Sequence, residues 1–355
     1  CHAGYGWKDG TFLDHADASS VDCLVCHADA SIYQKDPKGA GMPVAGTDLL
    51  AAARSVGPST RANCGACHFK GGGGDGVKHG DLDETMYFPQ TRVDVHMGKH
   101  GLVCTDCHQA EHHDIRGRLL PTRAAPETRV ACTDCHAARP HAEDRLNEHV
   151  KTLACQTCHI PTFAVETGTK RWWDWSYAGR EGDEHEIAEA LTHELQASPE
   201  AREGVPAQVL ALIDRVGEDP DVWTHYAKKK GLFVIARRQI PEYAWYDGTT
   251  KRYVPGEGVT PGQTAFINRP RGGASDADAR IWPFKVHRGR QPADAELHHL
   301  LTPHVFGKGG YWKTYDWPSA LASGADASGV PYSGAFGWQE TAMYWPQNHM
   351  VQRKE

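Results

Sequence analysis

Cys155-Gln156-Thr157-Cys158-His159 is the stretch from which the rest of the chain can be read. Two cysteines separated by two residues can each bond one vinyl group of a single haem, and the histidine that follows is then held where its imidazole meets the iron. The same pattern occurs four more times toward the N-terminus, at Cys23–His27, Cys64–His68, Cys104–His108 and Cys132–His136. Together the motifs use Cys23, Cys26, Cys64, Cys67, Cys104, Cys107, Cys132, Cys135, Cys155 and Cys158, ten of the eleven cysteines, followed by His27, His68, His108, His136 and His159. Zinc ribbons and redox dithiols also pair cysteines at this spacing, yet neither requires a histidine directly after each second cysteine. The repetition therefore points to covalently attached haem c.

The eleventh cysteine, Cys1, is followed by His2 and reads as the end of a sixth motif whose first cysteine precedes the sequence. The alternative is a stray thiol. On the first reading residues 1–159 form a haem-binding region with six c-type sites, in a chain that begins inside a longer protein. Each motif histidine is followed by the next motif's first cysteine after 37, 36, 24 and 19 positions. Such short steps force neighbouring haems close together, so this region is expected to conduct electrons.

Composition is consistent with this. Hydrophobic residues make up 40% of the 355, a low share that porphyrins, themselves apolar, would supplement in the core. A net charge of -7 argues against a nucleic-acid partner, because phosphate binding needs a basic face. No stretch approaches the roughly 20 apolar residues that a membrane helix needs. Haem is attached covalently outside the bacterial cytoplasm, so the expected location is the periplasm or cell surface.

Residues 160–355 contain no cysteine and are rich in aromatics, among them Trp172, Trp173, Trp175, Trp317 and Trp338. These could line a substrate pocket, but the plainer expectation is that they pack on haem faces and anchor long loops. Residues 183–230 read as a helical excursion on the surface. Asp183-Glu184 starts a helix through Ile187, Leu191 and Leu195, and Pro206 opens a second through Val209, Leu212, Ile213 and Val216 before Gly217. His185 and His193 do not match the zinc-helix spacing and are expected in solvent. From Phe233 onward, Gly, Pro and turn dipeptides dominate, with weak strand signals only around Arg252-Tyr253-Val254, so this part is expected to wrap the haems.

An electron-transfer haem takes a second axial ligand, most often a histidine from elsewhere. Setting aside six motif histidines leaves sixteen of the 22. Those nearest the motifs, His79, His96, His113, His141 and His149, together with His304 and His349 in the second half, are the candidates. The run Gly71 to Gly76, broken by Asp75, lets backbone approach a flat group closely. Lys78 and His79, which follow it, could then offer two nitrogens to two irons. A metal-bound lysine must be neutral, although an ordinary one titrates at about 10.4, so such a ligand would mark an unusual haem.

Several stretches together resemble the octahaem tetrathionate reductase family of multihaem cytochromes c. They are Cys1 to Asp9, Ala62 to Phe69, Lys78-His79-Gly80-Asp81-Leu82, Ala154 to Phe163, Arg280 to Lys285 and Met343-Tyr344-Trp345-Pro346. The resemblance spans nearly the whole chain. It implies a fold of mainly irregular loops and short α-helices wrapped around closely packed haems, with little β. It also implies an eight-haem protein, with haem-binding segments before Cys1 and after Glu355. The catalytic haem would be the one held by Cys1, with His2 and Lys78 as its axial ligands and Asp75 and His79 near it. The implied activity is reduction of tetrathionate, or of nitrite or hydroxylamine as in related enzymes. Electrons would come from redox partner proteins or quinol-linked donors. An electron conduit without chemistry of its own, assembled as a homo-oligomer or filament, is the competing expectation.

Overall fold

A computed structural model describes residues 3–4, 21–36, 41–70, 73–117 and 129–353. Cys1 and His2 lie outside these residues, as do Gly71 and Gly72.

Up to residue 159 the described chain is loops and short helices: α1 (Cys23–His27), α2 (Leu49–Arg54), α3 (Arg61–His68), α4 (Cys104–Cys107), α5 (Asp144–His149) and α6 (Cys155–His159). A tiny hairpin joins β1 (Ala110–Glu111) to β2 (Asp114–Ile115). Helices this short do not hold in water on local propensity alone. Side-chain caps start several of them. Asp22 accepts from the Leu24 amide, and Thr60 forms a reciprocal capping box with Asn63 on α3.

The second half is built differently. It contains β3 (Thr169–Asp174), α7 (Glu184–Ala197), α8 (Pro199–Arg202), α9 (Ala207–Ile213), β4 (Val222–Ala227), β5 (Gly231–Ala236), β6 (Glu242–Tyr246), β7 (Thr250–Arg252), β8 (Ala265–Pro270), β9 (Arg280–Asp294), α10 (Tyr311–Thr314), α11 (Trp317–Ser328) and β10 (Phe336–Pro346). Eight of the strands make one sheet in the order β4-β5-β3-β9-β10-β8-β7, with β6 also on β9. Strand β9 is its spine. One edge of β9 pairs with β10 from Phe336↔Asp294 to Pro346↔Phe284, and the other is shared between β3 and β6.

This sheet exceeds the little β expected, and the wrapping expected after Phe233 is carried largely by strands. The reason lies in β9, whose sequence RIWPFKVHRGRQPAD carries two prolines and four Lys or Arg residues, with no apolar alternation. Partners on both edges, not its own pattern, make it a strand.

Helices α7 and α9 begin where the capping signals put them, with Asp183 accepting from the His185 and Glu186 amides. They do not stand apart from the sheet. Leu191, Leu195, Val209 and Ile213 close over Val222, Tyr226, Leu232 and Val234 in one apolar cluster with Trp172. His185 and His193 are exposed. Several tryptophans pack on other aromatic side chains: Trp173 stacks on Trp175 at 4.5 Å, and Trp317 stacks on Tyr311 at 3.8 Å.

Beneath this cluster lies a buried ionic group. Arg290 donates from Nε to Glu340 at 2.5 Å and from Nη1 to Asp174 at 3.3 Å. Burial pushes the Glu340 carboxyl up to about 7, with the Arg290 guanidinium opposing it. The folded state thus keeps a proton that the unfolded carboxyl, near 4.5, releases. Its contribution to stability is full below pH 4.5 and is lost as pH rises through about 7, with an upper bound of about 3 kcal/mol. Thermal denaturation of Glu340→Gln across this window should show a flatter pH dependence than the parent protein.

Candidate functional site

The ten described motif cysteines are all free of disulfides, so their sulfurs are available for attachment. Motifs distant in sequence meet in space. The Cys64 and Cys104 sulfurs lie within hydrogen-bonding reach of one another, as do those of Cys132 and Cys155. Once bonded to haem these sulfurs are thioethers and do not titrate.

Four motif histidines each face one histidine from outside the motifs. The ring centroids are 6.3 Å apart for His27 and His113, 6.0 Å for His136 and His96, 6.1 Å for His108 and His349, and 6.1 Å for His159 and His141. Two nitrogen–metal bonds of roughly 2 Å, plus about 1 Å from each nitrogen to its ring centre, place imidazoles on opposite faces of one metal roughly 6 Å apart. The residues present therefore fit haem.

The second ring nitrogen supports this. Nδ1 of His27, His108 and His159 lies 2.9, 2.8 and 3.2 Å from the carbonyls of Gly57, Arg116 and Gln352. A carbonyl only accepts, so Nδ1 carries the proton and Nε2 keeps its lone pair for a metal. Burial also lowers the His108 pKa, which favours the neutral ring that binds metal.

Local structure sets the facing residues. His112 and His113, with φ of 50° and 67°, form the two-residue turn between β1 and β2, where both central positions need positive φ. Histidine occupies this strained conformation at the point where it reaches His27. His96 sits on a single π turn, Val95–Lys99, whose Asp94 cap accepts from the Met97 amide. The His141 backbone is bonded in both directions by the buried Asn147 side chain of α5. His349 is held by Asp81, which accepts from its amide at 3.0 Å and from its Nδ1 at 3.1 Å.

Among the described residues, His79, His149 and His304 do not face a motif histidine in this way, and neither does His68. The His79 ring packs edge-on to Trp345 at 5.0 Å, and burial drops its pKa to about 4. His149 is exposed at the end of α5, and His304 bonds Ser323 from Nδ1 at 3.0 Å. The Asp75 carboxylate accepts from the Glu84 amide at 2.7 Å, and burial raises its pKa. The Lys78 side chain is exposed.

Residues 170–355 match the family model described as "Cytochrome c bacterial". The matched part is the half without cysteine, so the sheet is as much a family feature as the motifs. The whole chain superposes on 74% of the octahaem cytochrome c of Shewanella oneidensis, with a TM-score of 0.82 and 40% identity. The chain belongs to the bacterial octahaem cytochromes c. An uncharacterized protein of Archaeoglobus fulgidus is 31% identical over 133 residues, a match spanning 32% of this chain and 44% of that relative's length.

Several residues that sequence reasoning did not single out organise this cytochrome around Lys78 and His79. Lys285 of β9 is fully buried, and its Nζ donates to the Val77 carbonyl at 2.6 Å, the Lys78 carbonyl at 2.7 Å and the Thr169 hydroxyl. Burial and the neighbouring Arg171 push its pKa well down, yet three acceptors around one nitrogen are the partners of an ammonium. Gly80 turns the loop at φ +78°, where a Cβ would stand 2.8 Å from the Phe163 ring. Alongside lie Lys170, Arg171, His287 and Arg288. Glu242 bonds both Arg288 nitrogens at 2.7 Å and Arg171 at 3.3 Å. Arg171 is only 6% exposed, and its Nε and Nη1 have no hydrogen-bond partner. His287 Nδ1 lies 3.0 Å from the Lys170 carbonyl, and burial drops its pKa to about 3, so the ring is neutral.

A cation-rich strand usually reads as a solvated face, which is why this group escaped notice. Asp81 had a signal, since it follows Lys78-His79-Gly80 directly. Lys285→Met should remove a donor from three acceptors and leave the Lys78 carbonyl without one, since the Val77 carbonyl keeps the Thr169 hydroxyl at 3.2 Å, at a cost of about 1–3 kcal/mol for an unsatisfied group. The loss should appear as a lowered thermal midpoint of the haem-loaded protein and faster proteolysis around Val77.

Proposed function

We propose that this cytochrome belongs to an oxidoreductase that reduces a small sulfur or nitrogen compound: tetrathionate, or else nitrite or hydroxylamine. In this reading its catalytic site includes Cys1, His2, Lys78 and Asp75. Haem c, when bound, supplies reversible one-electron chemistry at each motif. His27 with His113, His136 with His96, His108 with His349 and His159 with His141 would hold haem at four sites, each between two imidazoles, which suits electron transfer without substrate binding. His2 and Lys78 are assigned to the site at Cys1, one of the two left beside the His68 motif, where the lysine must be neutral to ligate.

The observation that carries the reading is the clamp on the Lys78 loop. A fully buried lysine is spent on holding the carbonyls of Val77 and Lys78, while the Lys78 side chain extends exposed. Tetrathionate and nitrite are anions, and Lys170, Arg171 and Arg288 beside the loop favour negative charge there. Tetrathionate takes two electrons and yields two thiosulfates without protons, whereas nitrite and hydroxylamine reduction consume protons. Asp75, whose carboxyl is raised by burial, is assigned to hold a proton at this loop.

A second reading is an electron conduit. It is favoured by the four facing histidine pairs and by the sulfur contacts between motifs. Either way the partners are redox proteins or quinol-linked donors, the location is periplasmic or at the cell surface, and homo-oligomers or filaments belong chiefly to the conduit.

Lys78→Met in the haem-loaded protein decides between them. The enzyme reading expects unchanged covalent haem content, an altered absorption and EPR signature at one haem, and turnover of tetrathionate, nitrite or hydroxylamine lowered by roughly two orders of magnitude or more. Unaltered spectra, or no turnover of the three compounds by the parent protein, would leave only the conduit.

A further inference from the structure

Among the described residues the eight paired histidine rings make four hydrogen bonds, of which three run from motif histidines to neutral backbone carbonyls. The fourth runs from His349 Nδ1 to the carboxylate of Asp81, at 3.1 Å. Asp81 is 2% exposed, and the same oxygen, Oδ2, also accepts from the Asn348 amide at 2.8 Å and the His349 amide at 3.0 Å. We propose that Asp81 is a positioning residue that lowers the reduction potential of the haem shared by His108 and His349. This rests on His349 being that haem's ligand.

The physical argument has two parts. A carboxylate accepting the Nδ1 proton fixes the tautomer and the ring plane, and it raises the basicity of Nε2. A more basic ligand donates more to the iron and favours the ferric over the ferrous state, and a buried negative charge nearby acts in the same direction. The carbonyls bonded to the other three rings carry no net charge. Lys285 and His79 also face Asp81, but neither stands between its carboxylate and the ring.

The location gives the effect a role. Cys104 of this motif touches Cys64 of the preceding one, and Cys107 lies near Cys135 of the following one. A haem lowered in potential here sits between neighbours on both sides, so an electron crossing the array resides on it least.

The test is spectroelectrochemical titration of the full haem-loaded chain with Asp81→Asn, whose amide oxygen can keep the three hydrogen bonds at Oδ2 without the charge. One haem should titrate at a higher potential and remain six-coordinate low-spin, with the others unmoved. Asp81→Glu, which restores the charge, should return it toward the parent value. Asp81→Ser, an uncharged acceptor, should shift the same haem in the same direction if the amide is not tolerated. Unchanged potentials in a loaded, uncharged variant would reduce Asp81 to a backbone cap and overturn the proposal. His349→Ala separates the two layers. If no haem loses its low-spin signature in that variant, the ligand assignment fails; if one does and Asp81→Asn moves no potential, only the inference fails.

Discussion

Two buried carboxylates, Asp81 and Asp94, tie the far end of the described chain into the motif region, and the placement of several histidines depends on them. Asp81 accepts from Asn348 and His349, and Asp94 accepts from Val351 while capping the turn that carries His96. Around them the chain from Gln347 to Gln352 is stitched to loops that were distant in sequence. Gln347 donates to the His79 carbonyl, Val95 to that of Val351, and Gln352 to that of His159. Each bond satisfies a buried polar group that would otherwise cost about 1–3 kcal/mol. One short segment thereby supplies the histidine that faces His108 and a carbonyl for the His159 ring.

The sheet works as the rigid element that the loops lack. Sites on regular elements are held more precisely than sites on loops, and β9, paired on both edges, can position what is attached to it. Its buried cations do this directly. Lys285 reaches across to the Val77–Lys78 backbone, and Arg288 and Arg171 share Glu242 close by. Burying several cations against few carboxylates is costly, and strongly perturbed charged groups of this kind cluster at functional sites.

The motif half was the more legible. Attachment cysteines and their histidines could be read from spacing because one haem imposes a local geometry on five consecutive residues. Facing histidines were partly legible, since His96, His113, His141 and His349 were all named as candidates. His79, His149 and His304 looked equivalent in sequence, because which imidazole crosses to which motif depends on chain path. The β9–β10 sheet was hardly legible. Prolines and cations mask the alternation that identifies a strand, and pairing with partners more than a hundred residues away compensates for them.

The sequence by itself determined the cofactor class, the attachment points and the starts of α7 and α9, because each is set by residues within one or two turns of chain. Only the tertiary structure decided that a fully buried lysine holds the Lys78 loop and that a carboxylate, instead of a carbonyl, meets the His349 ring. Those contacts join residues 77 and 285, or 81 and 349, and their character depends on burial. In the low-dielectric interior a lysine or aspartate interacts with its partners more strongly than in water, and no local pattern of residues encodes that burial.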